Sequence, residues 1–154
     1  MSQLSLDHIQ KLLEERKLKP ELQKETNQIM VLLEHEKSQF PLFIRIFEKN
    51  KLIQMLTFFP IECKQKHLGD VGRLLHLFNR ELDVPGFGMD ESSKTIFFRC
   101  MIPAIDDTID KKLFDAYLQA TQIACKSFFK PVAAIAVGAA SFEELLKKAE
   151  EQKK

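Results

Sequence analysis

Residues 40–60 read FPLFIRIFEKNKLIQMLTFFP. Large side chains recur here with a period of two, the period of a strand. Leu42, Ile44 and Ile46 share one face, and Phe43, Arg45 and Phe47 share the other. The polar run Glu48-Lys49-Asn50-Lys51 interrupts the pattern, and Asn50 tolerates a positive φ. Alternation then resumes, with Ile53, Met55, Thr57 and Phe59 set against Leu52, Gln54, Leu56 and Phe58. Pro41 opens one run and Pro60 closes the other, where a missing N–H donor costs little. The stretch predicts an antiparallel hairpin.

The segments on either side extend this reading. QIMVLLEHE, residues 28–36, is an unbroken apolar run that turns polar, as in a strand covered on both faces at one end. A helix over the same residues is the competing reading. Before it, LSLDHIQKLLEERKL places Leu6, Ile9, Leu12 and Leu13 at helical spacing. Ser5 is the N-cap, Asp7 suits the positive end of the helix dipole, and Pro20 follows, so a helix is expected over about residues 5–17. After the hairpin, Leu68, Val71, Leu74, Leu75, Phe78 and Leu82 form a broad helical stripe. Gly69 and Gly72 weaken that helix, and mark either a close backbone contact or a frayed first turn. Pro85 and the GFG at residues 86–88 punctuate as a turn, Phe87 and Met89 begin a short strand, and residues 90–93 turn again. In the next strand Ile96, Phe98, Cys100 and Ile102 face one way, Phe97, Arg99 and Met101 the other, and Pro103 ends the run.

The last third is helical. Thr108 is positioned to cap, and Leu113, Phe114, Tyr117, Leu118, Thr121, Ala124, Cys125 and Phe128 make a buried stripe. Pro131 is expected to interrupt or restart the helix near Lys130. PVAAIAVGAA at residues 131–140 carries no charge, but it is half the roughly 20 residues a membrane span needs. Gly138 suits a left-handed helix terminus, and Ser141 with Glu144 forms a capping box for a final helix. The order is α-βββ-α-ββ-α, and segregated antiparallel strands and helices predict an α+β fold with a sheet of about five strands. One crossover joins the two hairpin units. Residues 1–154 are expected to form a single domain, with 152–154 a frayed tail.

Composition excludes several functions. Lys+Arg 23 against Asp+Glu 22 gives a formal net charge of +1, so no strong field draws in nucleic acid or an anionic membrane. No basic-then-apolar leader opens the chain, and the expected location is cytoplasmic. Cys63, Cys100 and Cys125 make no CxxC motif and read as reduced core thiols. There is no GxGxxG or GxxxxGK[ST], so no nucleotide loop is expected. His8, His35, His67 and His76 are scattered, with no HExxH. The acids of Asp90–Ser92 read as turn chemistry. Asp106, Asp107 and Asp110 read as charges at a helix start. No catalytic residue, metal ligand or cofactor site emerges, and the chain is read as a non-enzyme.

RLLHLFNREL, DVPGFGMDESSKTIFFRCMIP and FFKPVAAIAVGAASFEEL together resemble the YbjN-like family, whose members share the fold of type III secretion chaperones of the CesT/SycE kind. Leu74, Leu75, Leu77 and Asn79 match its second helix, and Ile96 to Pro103 its proline-ended hairpin. Phe129, Pro131, Gly138, Ser141, Glu143 and Glu144 follow its closing pattern. The resemblance covers about residues 65–147, and the first 60 by topology alone.

One feature of the strands points to a task. QIMVLLEHE, LFIRIF and LIQMLTFF carry large side chains on both faces, whereas a sheet with helices on one side needs one apolar face. The resemblance and this surplus both imply a protein-binding module that holds a client segment on an apolar sheet surface. Phe43, Phe47, Met55 and Met30 are the candidate client-binding residues. Leu74, Leu77 and Phe78 are the candidate contacts of a homodimer. The alternative is a YbjN-like regulatory or stress-associated protein acting through a cellular protein partner.

Overall fold

A computed structural model describes residues 2–152 except 48, 50 and 85. The expectations for Asn50, Pro85 and the last two residues of the tail fall outside it. In chain order the elements are β1 (Ser2–Gln3), α1 (Leu6–Glu15), β2 (Glu21–Gln23), β3 (Gln28–His35), β4 (Ser38–Phe47) and β5 (Leu52–Glu62). A short 3-10 turn leads into α2 (Leu68–Glu81), followed by β6 (Phe87–Asp90), β7 (Thr95–Pro103), β8 (Thr108–Ile109), α3 (Lys111–Ala136) and α4 (Phe142–Gln152).

Among the described residues, six strands form one antiparallel sheet in the order β2-β3-β4-β5-β7-β6, and β1 pairs with β8. This is the expected α+β fold with one more strand in the main sheet than about five. The extra strand is β2, three residues between Pro20 and a turn, too short to show a period. The crossover is there too: α2 carries the chain from β5 to the far edge, and β7 returns between β5 and β6. Residues 28–35 are a strand, which removes the helical alternative.

The sheet packs its helices on one side. Leu33, Phe40, Phe59, Phe87 and Phe98 point inward and are buried. Phe129 of α3 meets Phe40 at 5.1 Å and Phe59 at 5.6 Å between ring centroids, edge to face. Phe87 meets Phe98 at 5.0 Å, and Phe128 reaches Phe78 of α2 at 4.6 Å. Each such pair adds about 0.5–1.5 kcal/mol beyond burial. The three cysteines are free and buried, as expected of core thiols, and burial pushes the Cys125 thiol up to about 12. That disfavours the Cys125 thiolate, the reactive form of the side chain.

Local expectations divide. Ser5 caps α1, accepting from the His8 N–H at 3.1 Å, and Ser141 caps α4, accepting from the Glu144 N–H at 3.2 Å. Asp90 accepts from Ser92 and Ser93 within its turn, and those bonds hold its carboxyl below the usual range. The cap of α3 is Asp110, which accepts from Lys112 and Leu113; Thr108 sits outside the helix, its hydroxyl donating to the Ile105 carbonyl. Pro131 neither interrupts nor restarts α3, which runs through it. A mid-helix proline costs about 3 kcal/mol, and here burial of Val132, Ile135 and Ala136 in the next turn offsets it. The GFG stretch extends the sheet: Gly86 exchanges both backbone hydrogen bonds with Arg99, at 3.0 Å each, and Phe87 begins β6.

Candidate docking face on the open side of the sheet

The strand registers decide what the other face of the sheet presents. Met30 lies opposite Phe43, Phe43 opposite Leu56, and Leu56 opposite Arg99. One step along, Leu32 pairs with Pro41, and Phe58 with Phe97, which faces Gly88. In the other direction Arg45 and Gln54 make a polar row that ends on Met101, with Gln28 bonded to Arg45, and Phe47, Leu52 and Pro103 close the face with an apolar one. Side chains on these positions are half-buried or exposed, apart from Gln28, whereas the alternate positions through the middle of the strands, such as Val31, Leu42, Ile44, Met55 and Cys100, are buried. Leu32 is 43% exposed and Met101 37%. The alternation seen in the sequence thus becomes two faces with different fates: one under the helices, one open.

The open face is organised. Phe43 and Phe58 meet edge to face at 6.0 Å, and Phe58 and Phe97 at 6.5 Å, so an aromatic line crosses three adjacent strands. The ring of Phe97 lies over Gly88, where an added Cβ would come within 2.6 Å of it. Glycine is therefore what lets the aromatic line lie flat over the edge strand. Beside it, the Arg45 Nε donates to Gln28 Oε1 at 2.6 Å, and Gln28 Nε2 donates to Gln23 Oε1 at 2.6 Å. Gln28 is 7% exposed, so this relay is a buried support for a guanidinium on an apolar surface.

Of the sequence candidates, Phe43, Phe47 and Met30 share this face. Met55 does not. It lies opposite Ile44 and Cys100 with 0% exposure, in the core beneath the helices. The reason is the period of two: Phe43 aligns with Leu56, which sets Met55 on the reverse side. Phe58, Phe97 and the Gln28–Arg45 relay were missed. The alternation of Phe58 with Met55 held the signal for the first, and the register that joins the others is a long-range property. Leu74 is buried, while Leu77 and Phe78 are half-buried and line a shallow apolar groove with Phe128 and Leu145 between α2, α3 and α4. Among the described residues there is no group of three or more His, Cys, Asp or Glu placed to hold a metal. No described helix is long and apolar enough to cross a membrane.

The model of the YbjN family, described as "putative bacterial sensory transduction regulator", matches residues 5–134. The chain belongs to the YbjN family. The match begins at the cap of α1, so α1 and the first hairpin fall within the family along with the second half of the sheet, well beyond the region from 65 onward that carried the resemblance. It ends before Gly138 and the Ser141 cap. A chain in the crystal structure of the ExsC–ExsE complex is similar in fold, with a TM-score of 0.57 and 18% identity over 82% of this chain and 95% of that one. The crystal structure of YbjN from E. coli is similar at a TM-score of 0.58 and 8% identity, over 90% of this chain and 94% of that one. Among curated proteins there is no match.

Proposed function

We propose that this protein is a non-enzymatic, cytoplasmic binding module, a single domain that receives a segment of another protein on the open face of its sheet. One observation carries the reading: an aromatic and aliphatic surface, held flat across the strands by edge-to-face rings, lies on the side that the helices leave uncovered. Phe43, Phe47 and Met30 are the proposed contacts, joined by Phe58 and Leu56. The similarity to a chain of the ExsC–ExsE complex supports a protein as the occupant, because that fold occurs there in a complex with a protein. The family description favours a second reading of the same surface, in which the occupant is a signalling or regulatory protein rather than a chaperoned client.

Phe47 tests the surface. It stands at the end of β4 opposite Leu52, half-exposed, and its ring is absent from the core cluster. An aromatic anchor contributes about 2 kcal/mol at an interface, so Phe47→Ala should weaken partner capture roughly thirtyfold. Circular dichroism should be unchanged. A folded variant that keeps every partner taken from native lysate by the wild type would remove Phe47 from the interface.

We also propose a homodimer through the α2 groove, with Leu77 and Phe78 at its rim and Leu74 as its floor. Light scattering should give twice the 17.9 kDa chain mass at micromolar concentration. A constant monomer mass would reject the dimer and leave the sheet surface untouched.

A further inference from the structure

We infer that the segment received by the open face carries a carboxylate, which pairs with Arg45 inside an otherwise apolar contact. This rests on the sheet face being the docking surface and adds the chemistry of what docks. Between the Leu32 and Phe47 rows, the outward positions of β3, β4, β5 and β7 hold two arginines, Arg45 and Arg99, and no carboxylate. Among the described residues, three of the five arginines, Arg16, Arg73 and Arg80, meet acids, and Arg45 and Arg99 do not. Arg16 meets Asp115 at 2.9 Å, Arg73 meets Glu143 at 2.7 Å, and Lys111 meets Glu15 at 2.7 Å. Arg45 meets no acid among the described residues. Its one side-chain bond is from Nε to Gln28, so its remaining guanidinium donors have no partner there.

The support of that guanidinium is unusual for a solvated arginine. Gln28 is buried and spends its carbonyl on Arg45 and an N–H on Gln23. This fixes the Nε edge and leaves the other edge for a ligand. A guanidinium fork of this kind matches a carboxylate, and a preorganised one loses less entropy on pairing. The apolar rows on both sides exclude water from the pair, which strengthens it. Arg99 lies two strands away and one row along, in the row of Phe43 and Leu56, about 12 Å off. A second carboxylate on the same segment can reach it.

Charge selects among occupants. In a second copy of this chain, face to face, the carboxylates of the same face stand off its central rows, Glu21 on the β2 edge and Glu34 beyond Leu32. A nucleic acid needs several phosphate contacts for each site, and the outward positions of β3, β4, β5 and β7 hold no lysine to supply them. A protein segment with Leu or Phe flanking Asp or Glu satisfies both the rings and the guanidinium.

The test is selection from a displayed library of random peptides about 12 residues long, enough to cross the sheet when extended. Full-length wild type should select peptides that combine acidic with large apolar residues. Arg45→Glu should select basic ones in their place. For the best wild-type peptide, replacing its Glu or Asp by Gln or Asn should weaken binding roughly tenfold, the scale of one charge-assisted hydrogen bond. The same loss should follow from Arg45→Gln. Should Arg45 variants misfold by circular dichroism, the acid-to-amide loss on wild type decides alone. Selection of apolar peptides without acids, binding equally well as amides, overturns the inference and leaves the docking face standing. Peptides whose binding ignores Phe43→Ala overturn both, as does a failure to select any. Competition by oligouridylate would place a nucleic acid on the face and overturn the inference as well.

Discussion

Asn79 does at one residue what a neighbouring strand does along its length. Its Nδ2 donates to the Phe87 carbonyl at 2.9 Å, and its Oδ1 accepts from the Phe87 N–H at 2.6 Å. It thereby ties α2 to the start of the edge strand β6, whose ring Phe87 enters the aromatic core. Asn79→Ala should cost about 2 kcal/mol, two hydrogen bonds with one partner left half-buried, and urea unfolding measures it. A change below about 0.5 kcal/mol would mean that the pair is not holding the strand. The resemblance singled out Asn79, but nothing in the sequence tied it to Phe87 eight positions on, because the intervening turn sets that contact. Met55 shows the converse. Its face was readable from the alternation through Phe59, and the register with Phe43 is what placed it under the helices.

At the scale of elements, two glycines with similar sequence surroundings have opposite roles. Gly72 lies inside α2, and a Cβ added there meets nothing within 4 Å. No close approach requires it, so Gly72→Ala should stabilise the protein by about 0.5–1 kcal/mol through helix propensity. Gly138 ends α3 at φ 83. Its N–H donates to the Ile135 carbonyl and that of Ala139 to the Ala134 carbonyl, the paired bonds of a Schellman turn. A Cβ there would come within 2.5 Å of His67 Nε2. Gly138→Ala should therefore destabilise by at least about 1 kcal/mol, from the backbone and the clash together. Thermal melts of the two variants should move in opposite directions; a shift of the same sign would contradict one of the two assignments. Strands were legible because their period is local, and the Ser5 and Ser141 caps because capping is a short-range bond. The continuity of α3 through Pro131 was hidden, since it depends on the packing of Val132 and Ile135 against distant residues. Three-residue β2 was hidden because it has no period to read.

Across the whole molecule, the helices cover one face of a six-stranded sheet, and the opposite face keeps an aromatic line. The surplus of large side chains in the strands foretold two apolar faces. Which residues share the open one required the sheet order, and β7 between β5 and β6 is what brings Phe97 beside Phe58. On the proposed reading this face receives another protein. A photoreactive phenylalanine analogue placed at position 43, 47 or 58 keeps an aromatic ring on the face, and the same analogue at Ile123, exposed on α3, probes the helix side. After irradiation of the native cells, adducts to a different protein should form from the three sheet positions and be absent from position 123. Adducts from position 123 with none from the sheet would put the protein-binding surface on the helix side instead.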